Sequence, residues 1–69
     1  MELKLFKVEK WIRPEYGRST LEFVQYFICN ERSTLESVLR DRHGDLKRYY
    51  RYDECSIEYD ITECEVESL

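Results

Sequence analysis

Residues 20–29, TLEFVQYFIC, form the most apolar run of the chain, and any fold must first dispose of them. In an extended strand Leu21, Phe23, Gln25, Phe27 and Cys29 would point one way and Val24, Tyr26 and Ile28 the other, so large apolar groups stand on both faces. A strand of that kind is expected in the middle of a sheet, covered on both sides. One helix covers only one side. An apolar face left in water marks an interface, and the simplest solution is a symmetric homodimer through the second sheet face, with Phe23, Val24, Tyr26, Phe27 and Ile28 at the contact. A wrapped monomer, with residues 45–52 or the loop around Trp11 over that face, is the other solution.

The chain before this run reads as a first strand, in which Leu3, Leu5, Phe6, Val8, Trp11 and Ile12 alternate with Glu2, Lys4, Lys7, Glu9 and Lys10. Its phase slips, so a bulge near Leu5 or partial cover on both faces is expected. Pro14 and Gly17 then mark a hairpin loop over residues 13–19. Ser33-Thr34-Leu35-Glu36 has the form of a capping box and predicts a helix starting there. Leu35, Val38 and Leu39 make its apolar stripe, and His43-Gly44 its stop. Leu46, Tyr49 and Tyr50 prolong the same stripe, so the helix either continues through Gly44 at a cost of about 1 kcal/mol or, the favoured reading, breaks there and resumes as a short helical turn. Ile57, Tyr59 and Ile61, alternating with Glu58, Asp60 and Thr62, predict a final strand with one buried face. A bulge at Thr62 or Glu63 would keep its apolar side inward to the end. The expected fold is α+β, a single domain over residues 1–69 with a small antiparallel three-stranded sheet and one packed helix, in the order β-β-α-β.

A domain of 69 residues rarely gains more than roughly 3–5 kcal/mol from its core. Three cysteines, Cys29, Cys55 and Cys64, after an opening MELKLFKVEKW that does not read as a signal peptide, fit free thiols and a cytoplasmic location better than a disulfide framework. With His43 they lack the close spacing of zinc ligands, so no metal and no cofactor is expected. A helix-end histidine with no evident nucleophile gives no sign of an enzyme. No apolar run approaches the roughly 18 residues of a membrane span.

Charge is unevenly distributed. Residues 1–52 hold eleven basic and eight acidic side chains, whereas residues 53–69 hold seven carboxylates and no Lys or Arg. Carboxylates at alternate residues of a strand stand about 7 Å apart, close to the spacing of phosphates along a nucleic-acid strand. Glu58, Asp60, Glu63, Glu65 and Glu67 are therefore candidates for occupying the basic surface of a nucleic-acid-binding protein, with a steep salt dependence; equally, such residues solvate an outer face or protect an edge. A second candidate is the basic and aromatic segment 40–52, whose Arg40, Arg42, Lys47, Arg48 and Arg51 would contact nucleic acid directly. Asp41 and Asp45 interrupt that segment and the whole chain is net −4, so direct nucleic-acid binding is the alternative only.

In size, charge and element order, with the acidic final strand over residues 53–69, the chain resembles the small acidic proteins that bacteriophages make to disable host machinery: DNA mimics, inhibitors of host RNA polymerase and anti-CRISPR proteins. The resemblance implies a non-enzymatic inhibitor acting in the host cell cytoplasm on a basic nucleic-acid-binding protein. It carries no diagnostic motif. The eleven basic residues also confine the acidity to the tail, unlike proteins similar to strong DNA mimics.

Overall fold

The structure, a computed structural model, describes residues 2–65. It is an α+β fold with four strands, β1 (Lys4–Pro14), β2 (Thr20–Cys29), β3 (Lys47–Tyr50) and β4 (Cys55–Cys64), and one helix, α1 (Arg32–His43). The strands form one antiparallel sheet in the order β2-β1-β4-β3. The first and last long strands are thus the central pair. β2 lies at an edge, contrary to its expected place in the middle of the sheet. Its two apolar faces fit an edge strand as well as a buried one, because periodicity records what a residue is and not which neighbours arrive.

Alternation assigns the faces. Phe6 and Val8 of β1, Ile61 of β4 and Leu35 and Leu39 of α1 form the buried core, with Phe27, Cys29, Leu46 and Tyr59 packed around it. The helix therefore lies on the face that carries the even residues of β1 and the odd residues of β4. It follows the strands, starting beyond Cys29, which is opposite Lys4, and ending with His43 against Phe23 and Tyr59, which flank Lys10. Twelve helical residues rise about 18 Å, close to the roughly 20 Å that six strand residues span. The radius of gyration is 14.0 Å, against about 11 Å for a compact domain of this length, because a single helix covers only one side of a long sheet.

Local signals shifted in several places. The capping box does not form: the N-cap is Glu31, without a side-chain bond to the helix amides, and the Ser33 hydroxyl donates to the Glu31 carboxylate instead, at 3.2 Å. The helix does end at Gly44, whose amide donates to the Arg40 carbonyl at 2.8 Å and whose φ of 81° lies in the left-handed region. No second helical turn follows. Lys47–Tyr50 pairs with β4 as a fourth strand, begun by the Tyr59 amide donating to the Leu46 carbonyl at 2.8 Å. The helical phase of Leu46, Tyr49 and Tyr50 yields because β4 otherwise leaves one row of backbone groups unpaired. The expected bulge near Leu5 is absent; the β1–β2 register shifts at Lys10/Trp11, where Glu22 is the extra residue. No bulge occurs at Thr62 or Glu63. Among the described residues no helix is long and apolar enough to cross a membrane.

The far end of the helix face is closed by an aromatic cluster around one charge. His43 stacks on Tyr59 with ring centroids 5.1 Å apart, and the Lys10 ammonium stands 5.7 Å from the Phe23 centroid and 5.9 Å from that of Tyr59 while pairing with Glu22 at 2.8 Å. The Glu22 hydrogen bond outweighs desolvation, and Tyr59 adds to it, so the Lys10 pKa lies above the ordinary 10.5. A raised value means that folding favours the protonated form; the stabilisation is whole below the unfolded lysine value and is lost as pH climbs through the folded one. Glu22→Gln is therefore expected to lower stability by about 0.5 kcal/mol near neutral pH, with the gap to the parent closing above pH ~10.5 in paired urea titrations. At Gly44 an added Cβ meets no atom within 4 Å. Gly44→Ala is then expected to cost about 1 kcal/mol from backbone strain alone, read from the same titrations.

Candidate binding face of the sheet

On the side away from α1 the sheet is uncovered among the described residues. Alternation and register place there Leu5, Lys7, Glu9, Trp11 and Arg13 from β1, Val24, Tyr26 and Ile28 from β2, Glu58, Asp60 and Thr62 from β4, and Lys47 and Tyr49 from β3. The face divides into halves. Toward β2 it is mainly apolar, with the row Val24, Tyr26 and Ile28 along the edge and Leu5 beside Ile28, while Lys7 and Glu9 stand opposite Tyr26 and Val24. Toward β3 it is charged, and Trp11 stands at the boundary.

Arg13 organises the charged half. Its Nε donates to Glu58 at 2.8 Å, its Nη2 donates to Asp60 at 3.2 Å, and the guanidinium lies 5.1 Å from the Trp11 ring centroid. Lys47 adds a second cation to Glu58 at 3.6 Å. Backbone alternation produces this arrangement: Arg13 is opposite Ser56, so the next residues on the same face of β4 are Glu58 and Asp60. One guanidinium thus bridges two carboxylates that would otherwise repel each other. At the margin the Tyr49 hydroxyl donates to Glu15 at 3.2 Å, and desolvation followed by that carboxylate raises its pKa.

The five candidate carboxylates do not make one strip. Glu58 and Asp60 share the open face, but the regular β1–β4 register turns Glu63 to the helix face, where Lys4 pairs with it at 3.6 Å. Glu65 follows the end of β4, and Glu67 lies outside the described residues. An outward line from Glu58 to Glu67 requires the bulge at Thr62 or Glu63, and without it Cys64 takes the open face. The basic candidates are likewise spread over several surfaces. Arg40 and Arg42 are exposed on α1, Lys47 is on the open face, Arg48 lies over the Tyr50 ring at 5.2 Å, and Arg51 is in the β3–β4 turn.

Of the expected dimer residues, Val24, Tyr26 and Ile28 stand on the open face, whereas Phe23 and Phe27 turn toward the helix. Cys55 and Cys64 lie at opposite ends of β4, roughly 30 Å apart along the strand, and all three cysteines are free thiols. Sequence reasoning misses the Trp11–Arg13 pair because Pro14 and Gly17 place Arg13 in a loop, whereas β1 runs on through Pro14. The Trp-x-Arg spacing within a strand was the available signal.

No protein-family model, curated protein or solved structure matches the chain. The face must therefore be judged on its own chemistry. If Arg13 couples the two carboxylates, a double-mutant cycle of Arg13→Ala with Glu58→Gln and Asp60→Asn should give a coupling energy of about 0.5–1 kcal/mol in urea unfolding. Additive losses would mean that the bridge contributes no stability.

Proposed function

We propose that this chain is a non-enzymatic protein-binding module and that the open sheet face is its recognition surface. The observation that carries this reading is an uncovered face that presents Arg13 stacked on Trp11, with Tyr26 farther along the same face, opposite Lys7. Those three residue types are enriched at the energetic centres of protein interfaces, where a large ring or planar cation fills a pocket and excludes water. The strands hold these groups in place, so little ordering remains to oppose association.

The partner is a protein surface that sets a basic side chain beside an apolar patch. The apolar half meets the patch, and Glu58 and Asp60, already held in place by Arg13, accept the incoming cation in place of or beside it. The basic surface of a nucleic-acid-binding protein supplies such cations. The net charge of −4 favours that class of partner by steering encounter and by discouraging direct contact with phosphates. The likeness in size and charge to phage inhibitors of host proteins is in keeping with this assignment. In contrast to a continuous acidic strip, a face that is half apolar and internally ion-paired should lose affinity only modestly with salt, by about tenfold or less across the physiological range.

The test is affinity capture on the immobilised chain at low and moderate salt. A partner retained by the parent, lost with Trp11→Ala and weakened with Glu58→Gln/Asp60→Asn, but kept by the helix-surface variant Arg42→Ala, is the expected result. Retention of every partner by the Trp11→Ala chain would sink the assignment.

A further inference from the structure

The sheet has two edges, and they are built differently. β3 is four residues long and begins with Lys47 and Arg48, so shortness and charge protect it from pairing with another strand. β2 is ten residues long and pairs with β1 alone, and among the described residues no other backbone bond leaves Thr20–Cys29. Its one charge is Glu22, held in the register shift beside Lys10. Beyond it the segment from Phe23 to Cys29 has no charge, no proline and no register shift. Val24, Tyr26 and Ile28 are 38%, 61% and 69% exposed along the open face of that edge. A row of free backbone donors and acceptors flanked by exposed β-forming side chains is a template for another strand.

We infer that the strand it takes is the β2 of a second copy, in antiparallel pairing about a two-fold axis at Tyr26, making one continuous eight-stranded sheet. The sequence of the edge is self-complementary about that point. Tyr26 meets the partner subunit's Tyr26, and Val24 meets the partner subunit's Ile28, so the exposed apolar row is matched by an apolar row. On the helix face Gln25 meets the partner subunit's Phe27, and Phe23 the partner subunit's Cys29. Glu22 falls opposite the partner subunit's Asn30 and not opposite its own copy, so no like charges face each other. On the other side β3 covers Cys55–Glu58 of β4, and the stretch beyond it carries Asp60 and Glu63. Because the β2–β2 contact is two-fold, each β2 edge is used up by its partner and the pairing closes at two copies. The expectation of a dimer through the stacked second face is replaced by one through the edge; the same five residues of β2 take part, and the open face stays free for a partner.

The test is sedimentation equilibrium of the full chain up to about 100 μM, where mass action populates a micromolar dimer. The parent is expected to sediment as a dimer. Tyr26→Lys places two ammonium groups opposite each other at the two-fold axis and is expected to sediment as a monomer. Val24→Lys, displaced from the axis, should do the same. Because both positions are exposed, circular dichroism is expected to be unchanged, and the second variant still reports if the first fails to fold. Thr62→Lys, on the open face of β4 away from the edge, should remain dimeric. A monomeric parent, a dimeric chain in either β2 variant that keeps its fold, or a Thr62→Lys chain driven to monomer would overturn the inference.

Discussion

The antiparallel ladder between β1 and β4, Leu5–Pro14 against Cys64–Cys55, is the interaction on which the rest of this structure depends. It joins the first strand to the last across about forty residues, a closure that costs on the order of 3 kcal/mol in chain entropy. Val8 and Ile61, opposite each other at its middle, are buried together beneath the helix. With that ladder formed, β2 can only add outside β1 and β3 outside β4. The helix is then the connection that carries the chain from one edge to the other, and its Leu35 and Leu39 close the core.

The same ladder disposes of the charge. β1 carries Lys4, Lys7, Lys10 and Arg13, and β4 carries Glu58, Asp60 and Glu63, so pairing the two strands sets the basic start of the chain against its acidic end. The charge separation of the linear sequence is thereby answered in part within the molecule: Glu63 pairs with Lys4, and Glu58 and Asp60 with Arg13. Each exposed pair contributes little to stability. Their effect is to fix geometry: Arg13 holds Glu58 and Asp60 in one place on the open face and holds itself over Trp11.

Bare surface is the other consequence. A single helix covers one side of a four-stranded sheet, and the buried hydrophobic core among the described residues is limited to Phe6, Val8, Leu35, Leu39 and Ile61. A core of that size leaves the chain close to the margin of independent stability. The open face and the β2 edge are separate surfaces that meet at Val24, Tyr26 and Ile28. Edge pairing of two copies would extend the face without covering it, and so would present a partner with two charged halves flanking one apolar strip.

Local sequence determined the features set by nearest neighbours along the chain. The bounds of β2, the stop of the helix at His43-Gly44 and the inward phase of Ile57, Tyr59 and Ile61 all follow from propensity, from glycine's access to positive φ and from alternation. Tertiary pairing decided what those elements lie beside. It drew Lys47–Tyr50 out of a helical phase into a strand because β4 needed a neighbour on its second side, and it put an apolar strand at an edge. It also kept β4 in regular register, so that Glu63 parted from Glu58 and Asp60, and extended β1 far enough to bring Arg13 between those two carboxylates. The division has a physical cause: dihedral preferences and side-chain period act within a few residues, whereas strand order and register are fixed by backbone hydrogen bonds between segments that the sequence holds far apart.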